Sequence, residues 1–174
     1  MEATQPPSIS KLALKYGLIN GVLAFLLFLV VAMTGMKQGW LTTGISIAIL
    51  VVLMVLAHRD FKKTHESMMT YGQGVGLGTL LAVIASVISS ILVYVYVSFI
   101  NTGYPAVMLK MQRAGLEARG MTGAQLDQSM AMVGAMLTPI GIFVSSLISG
   151  VIGGLIVSLV VSAFTKARDP KAVY

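Results

Sequence analysis

The chain has 174 residues, of which 56% are apolar and only 10% charged, and its mean hydropathy is +0.88. Soluble domains carry about 25% charged residues, so an ordinary water-soluble fold is excluded, and the absence of Cys removes disulfides, thiolate catalysis and Cys-based metal or iron–sulfur sites. The net charge is +6, but nucleic-acid binding needs basic residues clustered on a folded face; here they flank apolar runs, where anionic lipid head groups are the simpler partner.

Residues 67–109 contain no Asp, Glu, Lys, Arg or His over 43 positions, and residues 128–165 contain none over 38. Two shorter runs precede them. Each can hold the roughly 20 apolar residues that cross a ~30 Å hydrocarbon core. The expectation is an all-α fold: one integral membrane domain over residues 1–174, built as a polytopic membrane four-helix bundle.

In chain order, a first span is predicted over about 16–33, beginning after Lys11 and Lys15. At ~18 residues it exceeds the usual signal-peptide core, and Val31-Ala32-Met33 is a poor cleavage site, so it reads as an uncleaved span. Trp40 follows as an interfacial aromatic, then a second span over about 41–57. The polar stretch from His58 to Glu66 ends that span. A third span is predicted over about 75–100 and a fourth over about 140–164, each long enough to tilt. Tyr94, Tyr96, Phe99 and Tyr104 form an aromatic cluster near the end of the third.

Between spans three and four, an amphipathic helical hairpin is predicted over about 105–136, lying on the membrane or capping the bundle. Asn101 or Thr102 would cap its first helix, with Pro105 in the first turn. Val107, Met108, Met111 and Leu116 would lie on or near one face, opposite Lys110, Arg113, Glu117 and Arg119. Gly120 would stop the helix, Thr122 and Gln125 have the spacing of a capping box for the second, and Pro139 would break that one. An exposed loop without a role is the plainer alternative.

Eight Lys and Arg fall on the side of both termini and the second loop, and four on the other. The positive-inside rule then places both termini in the cytoplasm.

Small residues repeat every fourth position along the fourth span, in one row of Ser145, Ser149 and Gly153 and a neighbouring row of Ser146, Gly150 and Gly154. Gly74 and Gly78 repeat likewise at the start of the third. Such rows let helix backbones approach closely, within one chain or between two. The alternating glycines of residues 72–78 are not a dinucleotide fingerprint, since no strand precedes them. His58 and His65, with Asp60 and Glu66, could be a metal site, but polar residues exposed at a helix end give the same pattern and no third His exists, so no metal is expected. His58-Arg59-Asp60 matches a kinase tripeptide without the other kinase motifs. No ionisable residue falls inside a predicted span, which argues against proton relays, ion-coupled pumps and intramembrane hydrolysis. Asn20 is the most polar side chain within a span, and an interhelical hydrogen bond worth about 0.6–2 kcal/mol is expected of it.

The opening of the first span, Lys15-Tyr16-Gly17-Leu18-Ile19-Asn20-Gly21, resembles that of the DUF4199 family, small four-span membrane proteins found largely in Bacteroidota. So do Tyr71-Gly72-Gln73-Gly74 before the third span, the Gly120-Met121-Thr122 turn, and Pro139 before the last span. The resemblance covers nearly the whole chain and implies the fold, a bacterial inner-membrane location, and no catalytic residue or cofactor.

The leading functional expectation is a non-enzymatic inner-membrane protein acting as an accessory or scaffold subunit of a membrane assembly. The alternative is a small oligomeric transporter or channel lined by Ser and Gly of the fourth span. A lipid enzyme ranks third, resting only on residues 58–66. The partners expected are the lipid bilayer and either another membrane protein or further copies of the chain, with no nucleic acid.

Overall fold

The computed structural model describes residues 8–35, 39–64 and 68–166. They form six α-helices: α1 Ile9–Thr34, α2 Trp40–Thr64, α3 Tyr71–Val95, α4 Tyr104–Glu117, α5 Gly123–Met136 and α6 Pro139–Thr165. A π-helical turn, Tyr96–Ile100, extends α3. Four helices, with α3 counted through its π turn, are long and apolar enough to cross a membrane.

The helices outrun the predicted spans because polar residues at their ends stay helical where they find caps or partners. Ser8 starts α1 by accepting from Lys11 N at 3.4 Å, and Gly35 ends it at φ 64°, the left-handed conformation that glycine adopts without a Cβ penalty. α3 opens on a reciprocal capping box: Thr70 N donates to Gln73 Oε1 at 2.9 Å and Gln73 N to Thr70 Oγ1 at 3.3 Å. The box predicted at Thr122 does not form, and Thr122 makes no side-chain cap bond. The two sites share a T-x-x-Q spacing, but Gly123 has φ 59°, which spoils the regular first turn that the box requires.

Contact density divides the chain into two compact units, residues 1–89 with 149–174, and residues 90–148. In the first, α1, α2 and the first part of α3 pack on a core that includes Leu12, Ala13, Tyr16, Leu53, Ala57, Phe61, Leu77 and Leu81.

The second unit holds the helical pair α4 and α5. Gly120, at φ 83°, turns the chain between them. Gly103, not Asn101 or Thr102, occupies the N-cap position of α4, with Pro105 in its first turn. Asn101 instead donates from Nδ2 to the Tyr96 hydroxyl at 3.2 Å. Val107 is exposed, so the sheltered stripe of α4 is Met108, Met111 and Leu116 without it. Arg113 and Glu117 pair at 2.9 Å along the outer face. The aromatic cluster is looser than expected, because Phe99 points outward while Tyr94 meets Phe143 edge-on at 6.1 Å. Tyr104 is buried, and burial first and Tyr96 second push its phenol pKa above the ordinary value.

Candidate functional site

Within the first unit, α3 and α6 run side by side through matched small residues. A Cβ on Gly78 would collide with the Ser158 side chain, one on Gly150 with Ser86, and one on Gly154 with Ala82. A Cβ on Gly74 would meet Ser162 Oγ at 3.0 Å. The α3 partners advance by four (74, 78, 82, 86) as the α6 partners retreat by four (162, 158, 154, 150), so the contact is an antiparallel ladder of small-xxx-small rows. Ser158 Oγ adds a bond to Val75 O at 3.0 Å. In the second unit, Ser90 and Ser146 share a hydroxyl–hydroxyl bond of 2.9 Å. Lipid tails are as apolar as leucine, so this approach is held by van der Waals contact and hydrogen bonds rather than by a hydrophobic difference.

The neighbouring row behaves differently. Ser149 is exposed, a Cβ on Gly153 would find nothing within 4 Å, and Ser145 Oγ bonds only its own helix, to Ile142 O at 3.2 Å. Of the eight small residues singled out from the sequence, Gly74, Gly78, Ser146, Gly150 and Gly154 make contacts between α3 and α6. Ser145, Ser149 and Gly153 do not.

Two further glycines belong to the packing. A Cβ on Gly17 would stand 2.9 Å from Ile84 and from Leu81 O, and one on Gly21 2.9 Å from Ala85 O and Ile88. Their spacing of four was visible in Gly17-Leu18-Ile19-Asn20-Gly21, which read as a family signature and not as a packing row.

His58 corrects the reading of a polar group exposed at a helix end. α2 continues through it to Thr64, and the side chain is fully buried. Its Nε2 lies 3.0 Å from Gly74 O and its Nδ1 2.8 Å from Thr165 Oγ1, so one ring joins α2, α3 and α6. A carbonyl can only accept, which assigns the proton to Nε2; Nδ1 then accepts from Thr165, whose hydroxyl otherwise donates to Val161 O at 2.9 Å. Lys62 donates to Thr165 O at 3.0 Å, satisfying a terminal carbonyl of α6. Nearby, Tyr16 donates to Asp60 Oδ2 at 2.6 Å, and Lys15 and Lys63 lie 3.5 and 3.2 Å from the same carboxylate. These polar groups tie helix ends together. His65 and Glu66 lie outside the described residues, and among the described residues no three His, Asp or Glu stand close enough to share a metal ion.

Asn20 also departs from expectation. It is 8% exposed, and among the described residues no hydrogen bond reaches its carboxamide. It borders a cleft instead of bonding a neighbouring helix.

Four helices long and apolar enough to cross a membrane, with α3 and α6 joined by small-residue rows, give this chain the make-up of a multi-pass helical membrane protein. The chain belongs to the DUF4199 family, described as proteins of unknown function, whose model matches residues 15–167. No curated protein and no solved structure matches it.

Proposed function

We propose that this is a non-enzymatic protein of the bacterial inner membrane, both termini in the cytoplasm, that works by binding as an accessory or scaffold subunit of a membrane assembly. The observation that carries this reading is the division of α6 into two rows. The inner row is consumed by α3. The outer row of Ser145, Ser149 and Gly153 stays open, with Ile148, Ile152 and Ile156 exposed beside it. Such a face lets a second transmembrane helix approach closely without any charged partner.

A mild-detergent pulldown with mass spectrometry, comparing wild type with Gly153→Leu, tests it. A partner recovered at stable stoichiometry with wild type and lost with the variant supports the scaffold reading. No partner beyond background with either protein overturns it. The transporter reading draws on the same open row, since the inner serines are occupied by packing. Solute or ion flux in proteoliposomes of the purified chain would favour it.

A further inference from the structure

Between α1, α2, α3 and α6 of the first unit lies a half-open cleft of about 150 Å³. Ala24, Leu27, Ile49, Leu50, Ala82 and Ala85 give it an apolar wall. Asn20, Ser46, Ser86 and Ser89 place polar atoms on that wall. We propose that this cleft binds a small uncharged molecule that carries both a hydrogen-bond donor and an acceptor, an amide or polyol of up to about six non-hydrogen atoms.

Each part of that description follows from the lining. Size comes from the volume: 150 Å³ is room for about five waters at roughly 30 Å³ each, or for one benzene-sized guest. A wholly apolar cavity of that size stays dry, but this one carries Asn20 and three serines among its lining residues. The guest must be uncharged because no Asp, Glu, Lys, Arg or His lines the cleft, and a buried ion would lack compensation.

Donor and acceptor requirements come from the hydrogen-bond inventory. Ser46 donates to Thr42 O at 3.0 Å, Ser86 to Ala82 O at 2.7 Å and Ser89 to Ser86 O at 3.2 Å. Those hydroxyl protons are spent, leaving oxygen lone pairs that want a donor from the guest. Asn20 contributes two N–H donors and one carbonyl acceptor, none of them bonded within the protein among the described residues. Asn20 as a residue is 8% exposed and its carboxamide opens on the cleft, where leaving it without a partner costs free energy. Leucine would fill the same volume at no such cost, so the asparagine marks a polar guest.

The test uses the full-length protein in nanodiscs, with acetamide and glycerol as polar probes, benzene as the apolar probe and acetate as the charged one. Binding is read by ligand-observed NMR titration. Wild type is expected to bind acetamide or glycerol saturably, with a dissociation constant on the order of 1 mM for so few contacting atoms, and to discriminate against benzene and acetate. Asn20→Leu removes the carboxamide, and Ala24→Leu fills the cleft with Asn20 intact; each should weaken binding at least tenfold, about one factor of ten per 1.4 kcal/mol. If one variant fails to fold, the other carries the comparison. Absence of saturable binding by folded wild type, meaning that the cleft holds water alone, overturns the proposal. So does equal binding by wild type and variants, or preference for benzene.

Discussion

His58 Nδ1 and Thr165 Oγ1 meet across 2.8 Å although 107 positions separate them in the chain, and the same ring reaches Gly74 O at 3.0 Å. A buried imidazole with both nitrogens engaged is a structural joint between three helices. His58→Ala removes two hydrogen bonds, each worth about 1 kcal/mol net, and leaves a cavity, so a loss of about 2–4 kcal/mol is expected. Thermal unfolding in one detergent should show it, with exposed Arg59→Ala nearly silent. Equal melting of the two variants would refute the joint.

Metal content makes a separate prediction. His58→Ala combined with His65→Ala is expected to leave bound metal unchanged while lowering stability through His58. Stoichiometric metal in wild type that disappears from the double variant would restore a metal role.

The two rows of α6 should respond differently to bulk. Gly150→Leu and Gly154→Leu drive a side chain into Ser86 and Ala82 and should cost about 1–3 kcal/mol, the range for overpacking a filled site. Gly153→Leu points into open space and should leave melting unchanged. If all three melt alike, the α3–α6 ladder is not the contact that holds these helices.

Tyr16→Phe deletes the 2.6 Å bond to Asp60. Hydrogen bonds to charged groups contribute about 1.5–3 kcal/mol when sheltered, but the Asp60 side chain is 29% exposed, so about 1 kcal/mol is expected. A double-mutant cycle with Asp60→Ala should return a coupling energy of that order. Strict additivity of the two substitutions would show that the pair contributes nothing.

Topology is tested by fusions after Tyr174. With both termini cytoplasmic, alkaline phosphatase there should be inactive and a green fluorescent fusion bright. An active phosphatase would invert the orientation and place α4 and α5 on the cytoplasmic side.

Four long helices were legible in the sequence because crossing a bilayer is a one-dimensional requirement: enough consecutive apolar residues, read directly from runs without charge. The small-residue rows were legible for a similar reason, since a spacing of four stacks residues on one helix face. Which row faces inward was not. Ser145 and Ser146 differ by one step, a rotation of about 100°, and in a soluble helix amphipathicity would choose between them. Along α6 both faces are apolar, so only the shape of α3, with Gly78, Ala82 and Ser86 at matching heights, decides that Gly150 and Gly154 turn inward and Gly153 outward.

The same gap between composition and partners explains the remaining departures. Charge next to His58 marked the end of an apolar run, yet its burial depends on Gly74 and Thr165, which arrive from two other helices. Thr70 and Thr122 carry the same capping spacing, and only the backbone at Gly123 separates the box that forms from the one that does not. Asn20 was visible as a polar residue in an apolar span, but whether it meets a neighbouring helix or a cleft is set by how α1, α2, α3 and α6 close around it. The class of protein and its helices could be read from the residues in order, because both follow from local length and polarity. Tertiary structure alone decided rotation, burial and the cleft, because each depends on the shapes of helices that meet only when packed.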